Sequence, residues 1–114
     1  MNTGRAEGTA AARDAADADA IAAAVLACPA VADLSGGTVG EVATYLPGRR
    51  VKGVRVREDT IDIQVVGVYG VPIPDLAQQV RAAVARPARR RAVNVRVEDL
   101  RTAEESAHVA PARP

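Results

Sequence analysis

Phenylalanine and tryptophan are missing from these 114 residues, and Tyr45 and Tyr69 are the only aromatic side chains. The strands therefore offer no stacking platform for single-stranded nucleic acid. The single cysteine, Cys28, rules out an internal disulfide and a multi-cysteine metal cage, which suits a reducing cytoplasm. Neither sign of charge prevails: 15 basic and 14 acidic residues leave a net +1, so no overall field draws the chain to nucleic acid or anionic lipid. Long apolar runs are absent too. The leading stretch MNTGRAEGTAAARD lacks the run of Leu, Ile or Val that a secretory signal needs. Arg13, Asp14, Asp17 and Asp19 interrupt the Ala-rich segment before it could span a membrane. A soluble, cytoplasmic chain is expected.

Hydrophobic residues make up 48% of the chain, but 25 of those positions are Ala. A buried Val, Leu or Ile contributes roughly 1.5–3 kcal/mol and an Ala far less. The expected core is thin, and self-association or partner contact would supply further burial. The length suits one domain. We divide it into a disordered lead (residues 1–10), a domain (11–101) and a disordered tail (102–114).

Within the domain, the Ala-rich run from about Ala11 has high helix propensity and stops at Pro29. Ile21, Ala24, Val25 and Cys28 share one face, and Arg13, Asp14 and Asp17 are expected in water. Val31–Leu34 reads as a short strand, Ser35-Gly36-Gly37 as a turn, and Val39–Leu46 as either strand or helix. Val54 and Val56 alternate with Arg55 and Arg57; after Glu58-Asp59, Ile61, Ile63 and Val65 alternate with Asp62 and Gln64. That pattern is a hairpin with one buried face. Past Pro74 the period lengthens. Ile73, Leu76, Ala77, Val80, Ala83 and Val84 form one helical stripe, with Asp75 complementing the helix dipole and Pro87 ending the run. Val93, Val95 and Val97 then repeat the strand alternation. The expected architecture is α+β: a two-layer sandwich, two helices on one face of a mostly antiparallel sheet of about three to five strands.

Chemistry is sparse. His108 lies in the tail, without the fixed partner a catalytic base requires. Cys28 reads as a small apolar core residue. SGGTVG, Ser35 to Gly40, lacks the Gly-Lys-Ser/Thr ending of a phosphate loop. Asp62 and Glu98 fall among Arg55, Arg57 and Arg96 on the wet face, where cross-strand ion pairs account for them. No catalytic, cofactor-binding or metal-ligating set emerges, and no small-molecule substrate is implied.

Two features point to contact with other macromolecules. Arg86, Arg89, Arg90 and Arg91 form a basic run, read either as a solvated helix end or as a docking point for phosphate, nucleic acid or an acidic partner. Val66 and Val68 lie on the supposedly wet face and read as an apolar contact patch, unless irregular strand geometry or the Val39–Leu46 segment covers them.

The strings CPAVADLSGG (Cys28–Gly37), GVRV (Gly53–Val56), VYGVPIPDLAQQV (Val68–Val80) and VNVRVEDL (Val93–Leu100) resemble, in order and spacing, the alkaline shock protein 23 family of envelope stress response proteins. The chain departs from that family in lacking a strand before the first helix and in its Arg-rich connector. The resemblance implies a non-enzymatic scaffold of envelope homeostasis on the cytoplasmic side. It further implies self-assembly into homo-oligomers and a separate membrane anchor protein that brings the chain near the membrane. It assigns no catalytic residue. The alternative is a small nucleic-acid-binding module using the Arg86–Arg91 run, which the balanced charge disfavours.

Overall fold

The computed structural model describes residues 3–37 and 42–102, with side chains from residue 11 onward. Its order is α1 (Thr3–Leu26), β1 (Val31–Leu34), β2 (Ala43–Leu46), β3 (Arg49–Lys52), β4 (Val54–Val56), β5 (Thr60–Val68), α2 (Ile73–Ala88) and β6 (Ala92–Arg101).

β5 organises the molecule because it pairs with three strands. β6 runs parallel to it along its whole length, from Thr60↔Ala92 to Val68↔Arg101. The opposite edge is divided: β4 pairs antiparallel with Ile61–Ile63, and β1 with Val65–Gly67. At the junction the Gln64 N–H donates to Gly53 O (2.9 Å), and Gln64 O accepts from the Ser35 N–H (2.8 Å). The β4–β5 hairpin has the alternation read from the sequence, with Val54↔Ile63, Arg55↔Asp62 and Val56↔Ile61 in register. The sheet is mostly antiparallel by pairing, and the fold is α+β as expected. β2 and β3 form a separate two-stranded hairpin about Pro47-Gly48. Thr44 Oγ1 stitches it to β4, donating to Val54 O (2.5 Å) and accepting from the Val56 N–H (3.2 Å). The Val39–Leu46 ambiguity thus resolves as strand over Ala43–Leu46; residues 38–41 lie outside the described set.

Both helices cover the same face. Ile21 and Val25 of α1 and Leu76, Val80 and Val84 of α2 meet Val54, Ile61, Ile63 and Val65 in one buried cluster. Among the described residues the fully buried large side chains are three Ile, one Leu and five Val, so the core is as thin as the Ala content suggested.

Three sequence expectations need correction. α1 begins at Thr3, not Ala11; once a helix is nucleated, Arg5, Ala6 and Glu7 extend it and single glycines slow it by only ~1 kcal/mol each. Of the α2 stripe, Ile73 and Ala83 are exposed, and Ala88 takes a buried place one turn beyond Val84. Pro87 sits inside the last turn, and the helix closes at Arg89 in the left-handed conformation. The tail from Ala103, with His108, lies outside the described residues.

Candidate functional site

The basic run is divided by its partners. Arg89 Nε donates to both carboxylate oxygens of Asp17 (3.0 Å each), while Arg91 donates to Asp17 (3.1 Å) and to Asp14 (3.1 Å). Asp17 is only 3% exposed. It lies one turn before Ile21, on the stripe that faces the fold, and not in water as its charge suggested. Arg89 and Arg90 both hold positive φ, at 54° and 77°, a backbone that disfavours L-residues by roughly 1–2 kcal/mol each. The ion pairs clamp this strained connector onto α1. Arg86 and Arg90 remain exposed, with no ion pair among the described residues. Two of the four arginines proposed to contact nucleic acid or a partner therefore have an internal job, and the four do not form one free basic surface.

The Val66–Val68 patch is also corrected. Val66 is 7% exposed and Val68 half-buried. Asp33, opposite Val66 on β1, lies 3.9 Å from Arg101, opposite Val68 on β6. Because β1 and β6 flank β5 on opposite sides, this loose pair crosses the face between the valines. Val66 offers little area to a partner.

On the same face a cavity of about 330 Å³ is lined by Val42, Asp62, Gln64, Asn94 and Arg96, among others. Apart from Arg96, its polar side chains are paired with one another or with their neighbours. Asn94 donates to Asp62 (3.0 Å), and Arg57 lies 3.5 Å from the same carboxylate. Gln64 Nε2 donates to Glu98 Oε1 (3.2 Å), which also accepts from Ser35 Oγ. The expected cross-strand charge pairing holds for Asp62 and Arg57. Glu98 instead binds neutral donors, because the bulge in β6 aims it at the Ser35 loop. Among the described residues no group of three His, Cys, Asp or Glu side chains could hold a metal.

Cys28 is buried, its Sγ donating to Ala24 O at 3.5 Å. Burial pushes its thiol above the ordinary value. In the unfolded chain the thiol loses its proton from about pH 8.5, while the folded chain still holds it. The folded state then binds more protons, so stability falls as pH rises through this window and is unaffected below it. Chemical denaturation near neutrality and at about pH 10 should show a larger loss for the natural chain than for Cys28→Ala; equal losses would mean the thiol is solvated.

The least satisfied part of the described structure is the outer edge of β6. Ala92 N–H donates to Asp59 O (3.0 Å) and Arg101 O accepts from Tyr69 N–H (2.6 Å), so these residues point their backbone groups at β5. Successive residues of a strand alternate in this respect. Val93, Val95 and Val97 therefore direct N–H and C=O outward. One extra residue, Glu98, is inserted where Val65↔Val97 is followed by Val66↔Asp99, and Leu100 then faces outward in turn. Among the described residues β6 pairs with β5 alone, and the one side chain covering this edge is Arg81, whose Nε donates to Val93 O at 3.4 Å. The side chains of Val93, Val95 and Val97 pack on the core yet stay half-buried. Leu100 fills the space left by the missing side chain of Gly67 beside Leu76, and is 39% exposed. Tyr69 and Ile73, both exposed, follow the same end of β5.

The sequence pattern identified β6 as a strand but did not show that it lies at an edge. That follows only from its parallel pairing with β5.

No protein-family model, curated protein or solved structure matches the chain.

Proposed function

We propose that this chain is a non-enzymatic scaffold that works through protein–protein contact along β6, on the cytoplasmic side of the cell envelope. The observation that carries the contact reading is the ten-residue edge strand, with outward backbone groups at Val93, Val95, Val97 and Leu100 and an incompletely covered apolar row beside them. Such an edge is a template for an added strand. The envelope setting rests on the resemblance to the alkaline shock protein 23 family, which supplies homo-oligomerisation, envelope stress response and a separate anchor protein as expectations. No described helix is long and apolar enough to cross a membrane, so in this reading the membrane is reached through the anchor.

The test compares affinity-tagged natural chain with Val95→Lys, which puts a charge in the apolar row; circular dichroism checks that the variant folds. The natural chain should retain protein on the edge, either untagged copies of itself or another chain, and the variant should lose it. Identical capture by both would remove β6 as the contact. Recovery of soluble proteins without any integral membrane protein would remove the envelope setting.

A further inference from the structure

We propose that the occupant of the β6 edge is a second copy of this chain, added antiparallel about a two-fold axis through Val97, so that two sheets continue as one. The inference rests on the reading of β6 as the contact edge and names its partner. A strand can pair with itself about a two-fold axis only if the rows brought opposite one another are compatible.

The charge pattern selects the register. Centring on Arg96 sets that residue against itself, and like charges directly opposite are destabilising. Centring on Val95 sets Arg96 against Asn94, leaves the two Arg96 side chains as diagonal neighbours, and leaves Leu100 uncovered. Centring on Val97 behaves differently because of the bulge. One residue there faces two on the bulged strand, so Arg96 of each copy faces Glu98 and Asp99 of the other. Arg96 and Asp99 are both exposed and, among the described residues, neither has an ion pair. Among the described residues the Asp99 carboxylate accepts only from the next N–H, that of Leu100 (2.8 Å).

The helix-side row agrees. Val97 meets Val97 of the second copy, and Val95 meets Leu100 twice over. The half-buried valines and the exposed leucine cover one another. Val97 also points its backbone groups outward, so the central pair exchanges both N–H···O bonds.

Light scattering on the purified full chain, across concentrations up to the millimolar range, tests this. The natural chain should dimerise, at twice its 11.8 kDa mass. Arg96→Glu sets three carboxylates together at each end of the strand pair and should weaken the dimer about tenfold to a hundredfold. Asp99→Arg should weaken it less. An equimolar mixture of the two variants at the same total concentration should form a dimer tighter than either variant alone, because one end of the mixed pair is natural and the other balanced, whereas both ends of the Asp99→Arg dimer are only balanced. Simple misfolding would not be rescued by mixing. A dimer indifferent to Arg96→Glu, or a mixture no tighter than Asp99→Arg alone, overturns the register. A strict monomer overturns self-pairing altogether. If that monomer still captures another protein through an edge sensitive to Val95→Lys, the scaffold reading survives and only its partner changes.

Discussion

Replacing Asp17 with Ala should destabilise the fold by about 2–4 kcal/mol, a large share of the 5–15 kcal/mol available to a domain of this size. The carboxylate is 3% exposed and receives Arg89 and Arg91 at 3.0 and 3.1 Å. Its two partners do not count equally. The Arg89 side chain is 55% exposed, so water and salt screen its share. Arg91 is 12% exposed and would be left with Asp14 alone, a cation held out of water beside a weaker, half-exposed anion. Most of the loss comes from that stranded guanidinium. The substitution also improves local helix propensity by up to ~0.7 kcal/mol, so the measured loss understates the interaction. Urea denaturation gives the value, and an unchanged m-value would confirm that the same cooperative unit unfolds. Arg91→Met together with Asp17→Ala should recover part of the loss, since removing both charges leaves neither stranded. A loss below about 1 kcal/mol would mean the network behaves as an ordinary surface pair.

The same network shows where sequence reading stops. Asp17 belongs to an Ala-rich helix in which a charge is most simply placed in water, and its partners stand 72 and 74 residues away. Nothing local marks Asp17 as buried. Its spacing of four from Ile21 was the available signal, and the presence of charge outweighed it. Arg89–Arg91 likewise read as a uniform basic run, because the left-handed turn at Arg89 and Arg90, where Gly would be usual, splits neighbouring side chains between α1 and solvent. Hairpin pairing was legible for the opposite reason. Val54, Val56, Ile61 and Ile63 are joined by a short turn, so their period of two fixes both face and register. β6 stands between these cases. Its alternation was plain, but only the pairing with β5 reveals which edge it takes and that no other described strand pairs with its outer side. The Val66–Val68 reading erred because local alternation cannot show that Asp33 and Arg101, on separate strands, reach towards each other across that face.

The thin core and the open edge are connected. Among the described residues nine large side chains are fully buried, and none is aromatic. A sheet with so little to bury gains proportionately more by covering Val93, Val95, Val97 and Leu100 than a Phe-rich domain would. The long parallel edge strand is also the one that α2, packed mainly behind it, cannot wrap. Arg81 reaches one carbonyl at Val93, and among the described residues no strand pairs with the outer side of the centre.

Gly53→Ala should be the other severe substitution, at about 2–5 kcal/mol, and Gly48→Ala supplies its control. Both glycines have nearly the same backbone, φ +80° and +78°, so both variants carry the same left-handed penalty of roughly 1–2 kcal/mol. Their surroundings differ completely. Around Gly48 nothing lies within 4 Å of an added Cβ, whereas at Gly53 that atom would come within 2.9 Å of Gln64 O and Leu34 Cβ and 3.0 Å of Ser35 N. Two of those three neighbours are backbone, and they are bonded to each other across the seam where β1 and β4 share the edge of β5. Gly53 itself donates to Val42 O (2.8 Å) and accepts from Gln64 N–H (2.9 Å), so it cannot step aside without breaking the junction. The difference between the two variants in urea denaturation therefore isolates the steric part, expected at about 1–3 kcal/mol. Equal losses would mean that the seam yields, and that β1 and β4 are held to β5 separately and not as one continuous edge.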